Sequence, residues 1–511
     1  MYRLLIAFLL ISNMLLAQQP EQTYRNPVIQ GDFPDPTVIR VDDSYYAAGT
    51  TSDFAPAYPL YHSSDLINWE RIGSVFNEPP AWIKGDCWAP ELFYNNGTYY
   101  VYYTARKKSD NTSCIGVATT KDITKGFTDH GPLIEWGNEA IDAYVFKDDD
   151  EKLYITWKAY GLENRPIEIL ASELSADGLS LVGEHFSLTA PTTGWKERGD
   201  EGQVLLKRNG YYYFFYSIGG CCDNRCDYRI HVARSKSLKG QWEQHEPDPI
   251  LQGGDLWRCS GHGTIVQSPD GRYFYLYHAY HAHDFEFVGR QGLLDELLWN
   301  EESGWPYFKH GDKPTVQAPV PFKSTVQKKE INVVEDFSTN KYDAYWQWDM
   351  NYSKPLVSKQ EGRLVLQNTE DALCFWGMNT RTSNYVIETA VVPSGDKFKG
   401  LAVYGGPNDL FAWGVTDSEV KMFKLERGKK TELYSQPIDS PVTIYLKIES
   451  FGGRLYRFYW SADQSTWMTF PAKDDSIDGM KLPQWGKGLR TGFLMDGVGY
   501  AEYSHFNMIA K

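Results

Sequence analysis

Apolar and polar positions alternate in short runs through residues 36–279, and one phrase recurs five times. Each copy is an apolar run, a turn rich in Asp, Asn and Gly, and a second run dense in Tyr. The copies are residues 36–50 (PTVIRVDDSYYAAGT), 89–104 (APELFYNNGTYYVYYT), 143–157 (AYVFKDDDEKLYITW), 202–217 (GQVLLKRNGYYYFFYS) and 263–279 (GTIVQSPDGRYFYLYHA). Period-two alternation around such turns predicts a β-hairpin for each copy. The anchor aromatics Tyr46, Tyr100, Tyr154, Tyr213 and Phe274 recur every 54–61 residues. A second hairpin pattern follows each of the first four, as in residues 60–73 (LYHSSDLINWERIG). Four strands per repeat is the size of a propeller blade, so the pattern predicts a five-bladed β-propeller around a central channel.

The pattern changes after residue 315. Residues 316–330 carry Pro and Lys without periodicity and read as a linker. Beyond 331, alternating segments such as 385–393 (YVIETAVVP) and 454–463 (RLYRFYWSAD) read as antiparallel strands. They predict a β-sandwich over 331–511, so the fold class is all-β throughout. In the WQWD phrase at 346–349 a core or interface role is expected ahead of sugar binding. At the other end, an apolar run from Leu4 to Ala17 behind Arg3 reads as a signal peptide over 1–17. The run is shorter than the roughly 20 residues of a membrane anchor. The expected location is secreted or periplasmic, with no membrane anchor.

Charge narrows the partners. With 51 Lys and Arg against 66 Asp and Glu, the chain carries −15, which argues against nucleic acid. Seven cysteines are an odd number, so at least one thiol is unpaired within the chain. Cys221, Cys222 and Cys226 match no zinc spacing, and a vicinal bridge at Cys221–Cys222 is compatible with an oxidising compartment.

Blade geometry turns the spacing into chemistry, because the innermost strand of a blade begins near the channel. Counting back twelve residues from each anchor reaches Trp88, Asp142, Glu201 and His262, and eleven residues before Tyr46 lies Asp35. Three carboxylates, an imidazole and an indole at equivalent entries are poorly explained by packing, since crowded like charges cost stability. Two such carboxylates can hydrolyse a glycosidic bond, one protonating the leaving oxygen and one activating water. A third can keep the acid protonated by repulsion.

The phrases around these residues resemble glycoside hydrolase family 43. They are NPVIQGDFPDP at 26–36, WAPEL at 88–92, IDAYVF at 141–146, DEGQ at 200–203 and SGHG at 260–263, in family order, one per repeat. The resemblance implies an inverting glycosidase on a propeller at 24–315, followed by a concanavalin-A-like sandwich. It implies Asp35 as general base, Glu201 as general acid and Asp142 as modulator of the acid. It also implies Phe33, Trp88 and Arg290 as substrate contacts, and His262 near a channel cation held through water. No cofactor is required on this reading, and the ion would be a structural Ca²⁺. The expected partner is an oligo- or polysaccharide, cut by an α-L-arabinofuranosidase or β-D-xylosidase. An endo-arabinanase and a non-catalytic glycan-binding propeller are the alternatives. Exo against endo action, the sugar and the oligomeric state stay open at this level.

Overall fold

A single repeat has too little apolar surface to bury both faces of its sheet, so stability has to come from stacking neighbours. That is the arrangement in the computed structural model of the chain. The structure describes residues 22–511 apart from 161–166, 190–191, 193–199, 248, 323, 328–330, 340–343, 439–442 and 473–474. The segment read as a signal peptide lies outside the described residues.

Each repeat folds as a four-stranded antiparallel blade whose strands run outward in chain order. Blade I spans the strands from Thr37–Val41 to Glu70–Phe76, and blade II those from Ile83–Asn95 to Thr128–Ile134. Blade III runs from Glu139–Lys147 to Leu181–Ser187. Blade IV runs from Glu201–Arg208 to Glu243–Gln244, and blade V from Trp257–Gln267 to Pro306–Phe308. A parallel contact of Glu139 with Ser113 joins blades II and III into one sheet. Among the described residues the single α-helix is Phe285–Val288, and no helix is long and apolar enough to cross a membrane.

Five apolar clusters fill the five seams between blades. Tyr58 and Phe76 of blade I meet Leu92 and Tyr103 of blade II, and Phe146 of blade III meets Phe214 and Tyr216 of blade IV. The last seam sets Phe274 and Leu276 of blade V against Val38 and Tyr45 of blade I. The Tyr surplus is therefore seam packing. Each fully buried aromatic contributes roughly 2–3 kcal/mol.

The ring closes through the NPVIQGDFPDP phrase. Tyr24 donates its hydroxyl to the Leu294 carbonyl at 2.7 Å, and the Val28 and Phe33 amides donate to the Gly292 and Arg290 carbonyls at 2.8 and 2.6 Å. Thr23–Arg25 pairs with Gln317–Pro319, so part of the stretch expected as a linker is a strand instead. Its backbone groups find partners there that an extended linker would leave to water.

Residues from Val333 onward form the sandwich, a six-stranded sheet facing a ten-stranded one. Trp346 stacks on Trp376 at 4.0 Å inside its core, and Trp348–Asp349 pairs with Phe54–Ala55 of the propeller. The WQWD phrase is thus core and interface. The outer face of the six-stranded sheet is covered by Phe54, whose ring lies 3.5 Å below the Arg490 guanidinium. Asp32 ties the domains together by accepting from the Gly488 amide at 3.0 Å and the Arg290 amide at 3.3 Å.

Candidate active site

The innermost strands share one backbone device. Asp35, Ala89, Asp142, Gly202 and His262 all have left-handed backbone, with φ between 36° and 58°. In blades II to V the ladder is irregular at these places, between Trp88 and Glu91, Ile141 and Tyr144, Glu201 and Val204, and around Gly261. A bulge of this kind re-aims a side chain out of the sheet. Asp35, Asp142 and His262 occupy the left-handed position themselves, while Trp88 and Glu201 stand one residue before it. Gly202 is needed for a second reason, because a Cβ there would stand 2.7 Å from the His262 ring.

The structure brings Asp35, Asp142, Glu201, His262 and Arg290 together. His262 stands between two carboxylates, its Nδ1 3.5 Å from Asp35 Oδ1 and 3.8 Å from Asp142 Oδ2. Asp35 Oδ1 accepts from Arg290 Nη1 at 2.8 Å, and Oδ2 accepts from the Thr50 hydroxyl at 2.7 Å. The Asp35 amide donates to His278 Nδ1 at 3.0 Å. Burial alone would raise the Asp35 carboxyl, but the Arg290 guanidinium, with His262 and His278, outweighs it and holds the group well below the usual carboxylate range. His278 is itself pushed down to about 4, chiefly by burial and then by Arg290, so it is neutral at neutral pH.

Glu201 has its own partners. Oε2 accepts from Lys158 Nζ at 2.5 Å, and Oε1 accepts from the Tyr228 hydroxyl at 2.9 Å. Burial would raise this carboxyl, yet Lys158 prevails and holds it below its ordinary value. Asp142 accepts from the Gly202 amide at 3.2 Å. Burial first, and the neighbouring Glu201 charge with it, push Asp142 up to about 6 against the opposing pull of His262. Three carboxylates therefore share two permanent cations, and Asp142 is the one whose proton affinity is raised.

The expected sugar contacts divide. Trp88 is half-buried, with the Arg106 guanidinium over its ring at 5.8 Å from the centroid. Phe33 does not line the pocket as expected. It is 1% exposed, edge-on to Tyr61 at 5.0 Å in the seam between blades V and I, because Gly49 leaves a hollow that its ring fills. The Arg290 side chain is buried, and its Nη2 donates to the Gly486 carbonyl of the sandwich at 3.3 Å. The Gly486 amide in turn donates to the Cys222 carbonyl at 2.9 Å, so a sandwich loop reaches the wall beside Arg290.

The vicinal bridge expected near this wall is present, and a second bridge joins it. Cys221 is bridged to Cys222, and Cys226 to Cys259, while Cys87, Cys114 and Cys374 are buried free thiols. The second bridge ties the loop that carries Tyr228 to the strand that carries His262. A calcium ion takes six to eight oxygen ligands. Among the described residues no group of three or more His, Cys, Asp and Glu side chains is arranged to hold a metal, and His262 would bring one nitrogen. The donor set among the described residues does not fit direct coordination.

Lys158, Tyr228, His278 and Thr50 are the site residues that spacing missed. Lys158 had a readable signal, a lone Lys inside the apolar strand Leu153–Tyr160, since a buried Lys is rare without a partner.

Comparison with known proteins follows the two-domain division. The profile described as "Glycosyl hydrolases family 43" matches residues 24–306, and "Beta xylosidase C-terminal Concanavalin A-like domain" matches 334–494. The chain is 31% identical over 336 residues to a xylan 1,3-beta-xylosidase of Vibrio sp, covering 58% of this chain and 60% of that one. It thus spans about three fifths of that relative's length. It is 25% identical over 507 residues to a beta-xylosidase of Bacillus subtilis (strain 168), covering 86% of this chain and 90% of that protein. The crystal structure of a GH43 protein from Bacillus licheniformis shares the fold at a TM-score of 0.80 and 22% identity, covering 96% of this chain and all of that one.

Proposed function

The chain belongs to glycosyl hydrolase family 43, and from that premise we propose that it is an exported, inverting exo-glycosidase releasing xylose or arabinose from plant cell-wall glycans. The observation that carries the reading is the pair of unlike carboxylates in one channel, Asp35 held ionised by Arg290 and Glu201 apart from it with its own partners. Asp35 takes a proton from water as that water attacks the anomeric carbon. Glu201 gives a proton to the glycosidic oxygen as the C–O bond breaks. Asp142 raises the proton affinity of its neighbour by repulsion, and Trp88 offers a flat apolar face to the sugar.

Action from the chain end is favoured by the loop around Gly486, which stands against Arg290 and Cys222 where an endo-arabinanase needs an open groove. The binding-only reading is disfavoured because all three carboxylates are present. Export is favoured by the apolar N-terminus and by two disulfides. A channel Ca²⁺ held through water would show as a drop in melting temperature on chelation.

The test is hydrolysis of aryl β-D-xylosides, aryl α-L-arabinofuranosides, xylobiose and linear arabinan, with the first-formed anomer read by NMR. Release of single pentoses with inverted configuration is expected. Retained configuration, internal cleavage of arabinan, or no turnover by the folded protein overturns the reading.

A further inference from the structure

The general acid proposed above is paired with a buried ammonium. Lys158 sits on the second strand of blade III, opposite Ile141 and so beside the bulge that presents Asp142. Its side chain is only 10% exposed, and its Nζ lies 2.5 Å from Glu201 Oε2. A carboxylate gripped this way is ionised and cannot donate a proton. A pairing so close, in a pocket built to protonate a leaving oxygen, needs an account.

The surroundings supply one. The Tyr160 ring centroid is 5.6 Å from Lys158 Nζ, and the Glu139 carboxylate attracts the same ammonium. The Lys stem is flexible and its charge is a compact point, so it can change partner by rotating about its own bonds. Arg290 at the other end has no such freedom, being fixed to both Asp35 and Gly486.

We propose that Lys158 is a positioning residue that pairs with Glu201 in the empty pocket and withdraws toward Tyr160 and Glu139 when the leaving-group sugar enters. This rests on the glycosidase reading. On substrate entry Glu201 loses its cation and takes up a proton from solvent. It then passes that proton to the glycosidic oxygen as the bond to the anomeric carbon breaks, and the carboxylate left behind recaptures Lys158. The other groups facing Glu201 are Asp142, His262 and Tyr228, with Asp35 across the channel. Of the two permanent cations, only Lys158 is in contact with the acid.

The signature is a split between two pH profiles. The kcat/KM profile reads the free enzyme and the kcat profile reads the complex. In the wild-type enzyme on xylobiose, whose leaving group needs the acid, the basic limb of kcat is expected at least about one pH unit above that of kcat/KM. Removing the cation from the free enzyme raises the Glu201 carboxyl. In Lys158→Met the kcat/KM limb is therefore expected to move up to meet the kcat limb, and in Lys158→Arg to stay near the wild-type position. Coincident limbs in the wild type, which needs no variant, overturn the proposal. So does an unmoved limb in a folded Lys158→Met. Isotope-edited infrared titration of the Glu201 carboxyl in wild type and Lys158→Met reads the same pairing without turnover. If no glycoside is hydrolysed but that titration differs between the two proteins, the glycosidase reading fails and the pairing stands. If it does not differ, the pairing fails.

Discussion

At one end of the pocket Asp35 faces Arg290, and at the other Glu201 faces Lys158. Both carboxylates are buried and both are held below their ordinary values, with the cation overcoming burial in each case. The cations differ in what holds them. The planar fork of Arg290 is shared with the sandwich through Gly486 and is built into the joint between domains. Lys158 has the Tyr160 ring 5.6 Å away on its own blade and feels the charge of Glu139, which is itself paired with Arg106 at 3.2 Å. A base must be ionised at every stage before water attacks, so a rigid partner suits it. An acid must alternate between protonated and ionised, so a movable partner suits it. On the proposed mechanism the difference teaches that the same ion pair would serve opposite roles according to how firmly its cation is fixed.

The strongest way to break this comparison is to neutralise each carboxylate and vary the leaving group. Asp35→Asn is expected to lower kcat/KM by roughly 10²–10⁴-fold on both xylobiose and nitrophenyl xyloside, since water must be activated in each. Glu201→Gln is expected to cost as much on xylobiose, but about tenfold or less on nitrophenyl xyloside, whose leaving group needs little protonation. Equal losses on both substrates would erase the distinction between the ends.

Arg290→Met probes the rigid end alone. With the guanidinium gone, burial raises the Asp35 carboxyl, so the acidic limb of kcat/KM should move toward neutrality while the basic limb stays. At pH 5 the loss should then exceed that at pH 8 by about tenfold. A uniform loss across pH would show that Arg290 does not set the ionisation of Asp35.

Asp142, between the two ends, gives a stability readout. Its folded value of about 6 lies above the ordinary carboxyl value, so the native state binds the proton more tightly than the unfolded chain. Stability therefore falls as pH rises through the window from about 4 to 6, and the deficit persists above it. Asp142→Asn should stabilise the fold at pH 7.5 by up to about 3 kcal/mol. The gain should shrink steeply by pH 4 and vanish near pH 3, where both states are mostly protonated, and thermal melts at pH 7.5 and near pH 3 check the sign.

The smallest effect is expected at the domain joint. Lys487, the residue immediately before the Asp32 partner Gly488, is ion-paired with Asp53 of blade I. Lys487→Ala should loosen the loop and lower kcat a few-fold, equally for all leaving groups, because only the base end feels it.

How much of this was legible follows from where each residue stands. The propeller was readable because seam packing forces Tyr to recur at a fixed offset from each turn, as at Tyr100, Tyr154 and Tyr213. Asp142, Glu201 and His262 were readable because each lies on an innermost strand at a constant distance from that anchor. Lys158 and His278, like Thr50, stand four residues after the anchors Tyr154, Phe274 and Tyr46, a count on the second strand that the count back to the innermost strand passes over, whereas Tyr228 comes from a loop that carries no such count. Gly486 reaches Arg290 across 196 residues from another domain, a closeness that only tertiary packing creates. Phe33 was misjudged because proximity in sequence to Asp35 does not tell which side of the backbone a ring takes.

The left-handed residues at the channel mouth have a consequence for how such a ring changes over time. Holding an L-residue with a side chain in that conformation costs roughly 1–2 kcal/mol, and Asp35, Ala89, Asp142 and His262 all bear it. Glycine would relieve the strain at each place and, at Asp142, would also remove a charge that the interior resists. Selection or engineering for heat resistance alone would thus be drawn first to the positions where the chemistry resides. A thermally improved variant that has lost these side chains would be a well-folded ring without a catalyst. Activity has to be screened alongside melting temperature if the enzyme is to survive its own stabilisation.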